Sequence, residues 1–255
     1  MLAPRRPGLS MISLLFLLGL LVLLFGMLVP VINQLGRVAK RTEGFNNIRQ
    51  LTIACHAYHD VHGALPPLVG TDKTTKGTLH LHILPYIEQE RLYQEGREDW
   101  TLVMDRPIAV YTDSADPTAP PGHVFDNKLA TTNYAGNWKV FRDGGTSLVR
   151  IADGTSNTLM YATRYQVCND DPSAWAYNRL HYWAPMFGFY SHARFQIAPG
   201  QGDCDSSLPQ SLGKEGIAVG MCDGSARLVS DRCSPLTWLF ATDPNDGHAL
   251  GEDFN

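Results

Sequence analysis

From Pro7 to Gly36 the chain carries no Asp, Glu, Lys or Arg. Within that stretch, Leu9 to Ile32 is an apolar run of 24 residues broken only by Ser10, Ser13, Gly19, Gly26 and Pro30. A bilayer core of about 30 Å needs about 20 helical residues, so the run is long enough to span one. A cleaved secretory signal has a shorter apolar core, about 7 to 15 residues, ending at an A-x-A-like site. No such site follows here, so residues 1–8 read as a short N-terminal tail and 9–32 as a transmembrane helix.

Charge separates this segment from the rest. Arg5, Arg6, Arg37, Lys40 and Arg41 all precede Glu43, the first acidic residue, which leaves 16 basic against 25 acidic groups in residues 42–255. An acidic body of this kind does not suit a nucleic-acid partner. The basic residues flanking the apolar run nearly balance each other under the positive-inside rule, and the shortness of the N-terminal tail favours a cytoplasmic N-terminus.

Beyond the apolar run, Ile48, Leu51, Cys55, Tyr58 and His62 recur at spacings of three and four, one stripe along a helix that needs a partner surface. Gly63 and Pro66-Pro67 end the pattern. The spacing therefore predicts that the helix continues over 33–62, with a bend at Pro30. Residues 63–255 then break into short pieces typical of a globular head. Leu79 to Tyr93 is helical in spacing and divided by Pro85. Trp138–Phe141, Leu148–Ile151, Leu159–Ala162, Ile217–Met221 and Ala226–Val229 read as strands. The last two flank Asp223-Gly224, a hairpin signal, and Pro235 to Ala241 reads as a helix capped by Ser234. Asp113–Gly122 and Gln196–Lys214 have loop composition. The expected fold is α+β, a long N-terminal transmembrane helix packed on a small antiparallel-sheet head.

Seven blocks in order resemble those of the pilin-like proteins of domain-of-unknown-function family 1559, also called solute-binding-protein-10-like. Arg5-Arg6-Pro7-Gly8 before Leu9-Ser10-Met11-Ile12 is similar to a prepilin leader, with Gly8 and Leu9 flanking the cleavage point. Asn46-Asn47-Ile48-Arg49-Gln50-Leu51 and His56-Ala57-Tyr58-His59-Asp60 resemble NNLKQL and HNYHD. Leu84-Pro85-Tyr86-Ile87-Glu88-Gln89 resembles LLPYLEQ. Asn133-Tyr134-Ala135-Gly136-Asn137 and Ile151-Ala152-Asp153-Gly154-Thr155-Ser156-Asn157-Thr158 resemble NYAGN and ITDGTSNT. Asp223-Gly224-Ser225-Ala226-Arg227 resembles DGSVRF.

The departures are specific. Ser13 stands where a prepilin has the Glu that neutralises a neighbouring subunit's amino terminus. Gly44 and Asp113 stand where the family commonly has two cysteines, whose joint absence is what a disulfide between them in relatives would produce. Gly213 replaces the histidine of the family's C-terminal H-x9-DG motif. The resemblance implies a non-catalytic, pseudopilin-like structural or interaction protein, single-pass in the inner membrane, with a periplasmic head. Its partners would be the membrane and, laterally, pilin-like subunits or components of a type II secretion-like system. The alternative is a membrane-anchored, extracytoplasmic solute-binding module.

Five cysteines in an exported domain suggest two disulfides drawn from Cys168, Cys204, Cys222 and Cys233, with Cys55 free on the helix stripe; the pairing is open. His56, His59 and His62 share a helix, with His80 and His82 further on, but lack a matching carboxylate or Cys spacing, so packing is preferred over a metal. The loops Asp203-Cys204-Asp205 and Asp243-Pro244-Asn245-Asp246 could offer oxygens to calcium, but neither fits the EF-hand pattern and turn chemistry explains both. No G-x-S-x-G, G-x-G-x-x-G, phosphate-loop or H-E-x-x-H motif occurs. No catalytic, cofactor or metal residue is expected.

Overall fold

The computed structural model describes residues 11–72, 75–142, 146–189 and 193–254; the leader candidates Gly8 and Leu9 lie outside the described residues. The chain divides into two units, 1–41 and 42–255, and helix α1 (Met11–His62) belongs to both. It runs on through Pro30, where the sequence suggests a bend.

In the first unit, the large apolar side chains from Met11 to Phe25 are exposed on every side of the helix, the least exposed being Leu21 at 43%. Among the described residues, no helix is long and apolar enough to cross a membrane. The fold is mixed α+β, and the transmembrane character expected over Leu9 to Ile32 finds no support in it.

The second unit is built on a five-stranded sheet of β1 (Tyr134–Asn137), β2 (Leu159–Thr163), β3 (Met186–Phe187), β4 (Gly216–Met221) and β5 (Ala226–Ser230), in the order β5-β4-β2-β1-β3. Three pairs are antiparallel, and the edge pair β1–β3 is parallel. Both faces are covered. On one lie Ile48, Leu51, Ala54 and Cys55 of α1 with Tyr134, Tyr161 and Ala218. On the other lie Trp238 and Ala241 of helix α5 (Pro235–Thr242) with Ile217, Val219 and Met221. Alternate side chains of β4 thus enter opposite cores, as the pleat requires. Burial on both faces is also why Leu159-Met160-Tyr161-Ala162 reads as a continuous apolar run.

The helix stripe is buried at Ile48, Leu51, Cys55 and Tyr58. It lies close against the sheet at Gly220, where a Cβ would meet Ile48 Cγ2 at 2.7 Å and Thr52 Cγ2 at 2.8 Å. Only a residue without a side chain lets α1 lie this near to β4. At the β4–β5 turn Gly224 has φ 86°, and Ser225 donates its N–H to Asp223 Oδ1 at 2.8 Å, so Asp-Gly makes the expected hairpin. Ser234 caps α5 by accepting from Thr237 N. Pro85 divides its segment into α2 (Leu79–His82), a 3-10 turn (Leu84–Ile87) and α3 (Glu90–Glu98).

Two expected strands are helical. Trp138–Phe141 forms the short helix α4 because the Asn137 side chain accepts from Lys139 N and turns the chain as β1 ends. A four-residue apolar run cannot be assigned to strand or helix by period alone. Leu148–Arg150 is a 3-10 turn, its first N–H taken by His59 Nε2 at 3.3 Å. The expected loop over Gln196–Lys214 contains a short parallel pairing of Gln196–Ile197 with Gln210–Ser211.

Candidate functional site

The family-like residues converge on the seams between α1 and the head and between the sheet and its loops. Asn47 Nδ2 donates to the Thr112 carbonyl at 3.0 Å, linking α1 to the segment before Asp113. Asp113 N–H donates to Asn133 Oδ1 at 2.8 Å, which also accepts from Gln166 Nε2 at 2.7 Å. The other end of the Asn133 amide donates to Asp116 Oδ2 at 2.7 Å and to the Arg164 carbonyl at 2.9 Å. Asp116, buried at 8% exposure, also accepts from Gln166 N and Thr118. Tyr134 is buried beside Asp113, its hydroxyl 3.5 Å from Asp113 Oδ2. Burial, with Glu43 and Asp116 adding like charge, raises the Asp113 carboxyl above its ordinary range. In this network each buried polar atom of Asn133 has a partner, the condition under which such a network rigidifies a core.

Gly44 completes the seam. A Cβ there would sit 2.2 Å from Asp113 Oδ2 and 3.3 Å from Asp113 Cγ. The two positions at which the resemblance implies cysteines are therefore in direct contact.

Other motif residues act in the same way. His56 Nε2 lies 2.9 Å from the Cys222 carbonyl and His59 Nε2 3.3 Å from Ser147 Oγ. His62 Nδ1 lies 3.0 Å from the Tyr58 carbonyl, its ring stacked on Tyr58. Asn46 and Asp60 are exposed. Pro85 opens the 3-10 turn, Tyr86 meets Tyr58 edge-on, Glu88 ends the turn at φ 63°, and Gln89 N–H returns to the Leu84 carbonyl. Asp153 accepts the N–H groups of Asp246 and Gly247, and Asn157 Nδ2 donates to the Asp153 carbonyl across the Gly154 turn. The DGTSNT block is thus a socket for the loop after α5. Asn137 Nδ2 donates to the Leu159 and Thr242 carbonyls, tying β1 to both β2 and α5.

The cysteines correct an expectation. Cys168 and Cys204 form a disulfide, while Cys55, Cys222 and Cys233 are free and buried. Cys222 and Cys233 cannot form the second bridge, because they lie at opposite ends of the β4–β5 hairpin. Its register runs from Gly220↔Ala226 beside Cys222 to Gly216↔Ser230 on the Cys233 side. At about 3.4 Å per residue that is more than about 13 Å, well beyond the reach of a disulfide. Cys55 Sγ lies 3.3 Å from the Tyr161 hydroxyl, and burial pushes its thiol up to about 12. Such a thiol is inert as a nucleophile.

Two arrangements bear on catalysis. Ser147, His59 and Asp60 line up as a serine, a histidine and an acid. However, His59 Nε2 already accepts from Leu148 N, and Asp60 is 82% exposed with its carboxylate 3.8 Å from His59 Nδ1. The group clamps α1 to the loop at Ser147 and does not orient a base. His80 is fully buried against the Tyr111 ring, and burial drives its imidazole down to about 3, so it stays neutral. Among the described residues, no group of three or more His, Cys, Asp or Glu is arranged to hold a metal. In the two loops considered for calcium, Asp205 and Asp246 accept N–H groups two residues on, and Asp243 pairs with Lys139 at 2.6 Å. These are turn and ion-pair contacts.

A surface cleft of about 360 Å³ opens between α4, the residues after β3 and the loop after α5, lined by Trp138, Lys139, Arg142, Phe189, Asp243 and Asn245 among others. No pattern marked it in the sequence, since its walls come from three distant segments.

The model of a family described as "Protein of unknown function (DUF1559)", SBP_bac_10, matches residues 37–118, the family that the sequence blocks resemble. No curated protein and no solved structure matches the chain.

Proposed function

We propose that this chain, with its DUF1559 match spanning the segment where helix meets head, is a non-catalytic, membrane-anchored, pseudopilin-like structural and interaction protein. Leu9 to Ile32 would lie in the inner membrane, with the α+β head in the periplasm. The observation that supports this best is the change of character along α1. From Met11 to Phe25 it is apolar and exposed on every side, a surface that water does not tolerate and lipid does. From Gly44 to Tyr58 one face is built into the head core. A helix of this kind holds the head on a membrane and leaves its outer face for lateral contacts with pilin-like or secretion-system neighbours.

The family-like residues are used for seams and turns, which supports a structural role over an enzymatic one. With Ser13 in place of Glu, the contact that registers a prepilin in a filament is missing, so anchoring is the primary role and fibre assembly secondary.

Membrane fractionation with mass spectrometry of the N-terminus tests this. The expected species is a membrane-bound chain beginning at Leu9. An intact Met1 in the membrane fraction would leave a plain anchor without prepilin processing. A soluble chain beginning beyond Ile32 would overturn the reading. The cleft beside Trp138 favours a second reading, an anchored module that also binds a small solute.

A further inference from the structure

Helix α1 joins the head at a contact lined by carboxylates. On the head side, Asp113 is buried at 4% exposure with its carboxyl pressed against the helix, since a Cβ at Gly44 would lie 3.3 Å from Asp113 Cγ. Glu43 is the adjacent residue of α1, and its Oε2 accepts from the Ser114 hydroxyl at 2.7 Å. An acid of the helix and an acid of the head therefore flank one contact. Asp116, in the same loop as Asp113, is buried and accepts from Asn133 Nδ2 at 2.7 Å.

The charges that act on Asp113 are both negative, Glu43 from α1 and Asp116 from its own loop. That loop also donates the Ala115 N–H to Asp113 Oδ1 at 2.8 Å, and β1 presents the Tyr134 hydroxyl 3.5 Å from Oδ2. Oδ1 has a good donor, while the Tyr134 contact to Oδ2 is longer than a good hydrogen bond. Loss of water and like charge both disfavour an ionised carboxylate placed in this way, and they raise the Asp113 carboxyl above its ordinary range. Lifting α1 from the head would return Asp113 to water and take Glu43 away. The closed contact therefore holds the proton more tightly than the open one, and by linkage the proton favours closure. That stabilisation is full below the ordinary value of 3.8 and is lost as pH rises through the raised one.

We infer that the joint between α1 and the head is a proton-responsive clasp, which tightens when Asp113 takes up a proton and loosens when it gives the proton up. Both sides of the clasp lie in the unit 42–255, so the inference goes beyond the anchoring role and does not depend on it.

Hydrogen exchange of the full-length protein in detergent, followed by mass spectrometry between pH 8 and pH 4.5 and corrected for intrinsic rates, tests the clasp. Protection over residues 43–51 and 112–116 should rise on acidification relative to β2, by up to about tenfold per pH unit while Asp113 titrates. Asp113→Asn removes the charge and keeps an acceptor for Ala115, so it should flatten that rise. Its melting temperature should exceed that of the wild type at pH 8 by more than at pH 4.5. His80 is present in both proteins, so its own titration leaves their difference unchanged. If Asp113→Asn fails to fold, Glu43→Gln replaces it, and removal of the like charge should move the rise to lower pH. The inference is overturned if protection at the joint does not rise relative to β2, if the rise persists in Asp113→Asn, or if Glu43→Gln leaves its position unmoved.

Discussion

Asn133 has both ends of its amide committed, to Asp113 N, Gln166 Nε2, Asp116 Oδ2 and the Arg164 carbonyl, in a setting with no access to water. Asn133→Ala should therefore cost about 2–5 kcal/mol in urea unfolding, more than a single hydrogen bond, because two buried acceptors and two donors lose a partner together. His80 carries a second prediction at this scale. Its folded pKa is depressed to about 3 from an unfolded value near 6.5, so between these limits the unfolded chain binds more protons. Stability should be fully present above pH 6.5 and fall by up to about 1.4 kcal/mol per unit as pH drops toward 3. His80→Phe should flatten that slope in melts taken from pH 7 to pH 4; an unchanged slope would show that His80 does not set it. The sequence blocks flagged Asn133 without its role. Asp116 and Gln166 carried no signal at all, because the partners that make them matter lie 17 and 33 residues away in the chain.

At the scale of elements, α1 is held to the head by contacts that a covalent bond can test. Asp113 Cγ, the atom a cysteine sulfur would replace, lies 3.3 Å from where a Gly44 Cβ would be. The double variant Gly44→Cys/Asp113→Cys should form a disulfide under oxidising conditions, seen as a reducible shift on non-reducing gels, and single variants should not. The native bridge gives a complementary expectation. Cys168–Cys204 closes a separation of 36 residues, so its loss in Cys168→Ser/Cys204→Ser should cost about 3–4 kcal/mol. The unreduced, denatured wild type should titrate three thiols, those of Cys55, Cys222 and Cys233. Elements with a strong period or punctuation were legible: the α1 stripe, the Asp223-Gly224 hairpin and the Ser234-capped helix. Trp138–Phe141 was not, because its helix is decided by the Asn137 cap at the end of β1 and not by its own four residues.

For the whole molecule, the asymmetry that opens the sequence becomes a division of labour along one helix. The distal half supplies a wall of the α+β core, and the large apolar side chains from Met11 to Phe25 in the proximal half are exposed. The class of the head was readable because strands buried on both faces leave apolar runs. The cleft was not, because three loops create it. The central claim, that Leu9 to Ile32 anchors a folded head in lipid, is tested most directly by flotation of the full-length chain with liposomes after a carbonate wash. The wild type should float, and Leu17→Arg/Leu21→Arg, which adds about 5–7 kcal/mol of insertion cost, should stay at the bottom with its head fold intact by circular dichroism. A wild-type chain that remains at the bottom of the gradient, folded and free of lipid, would contradict it.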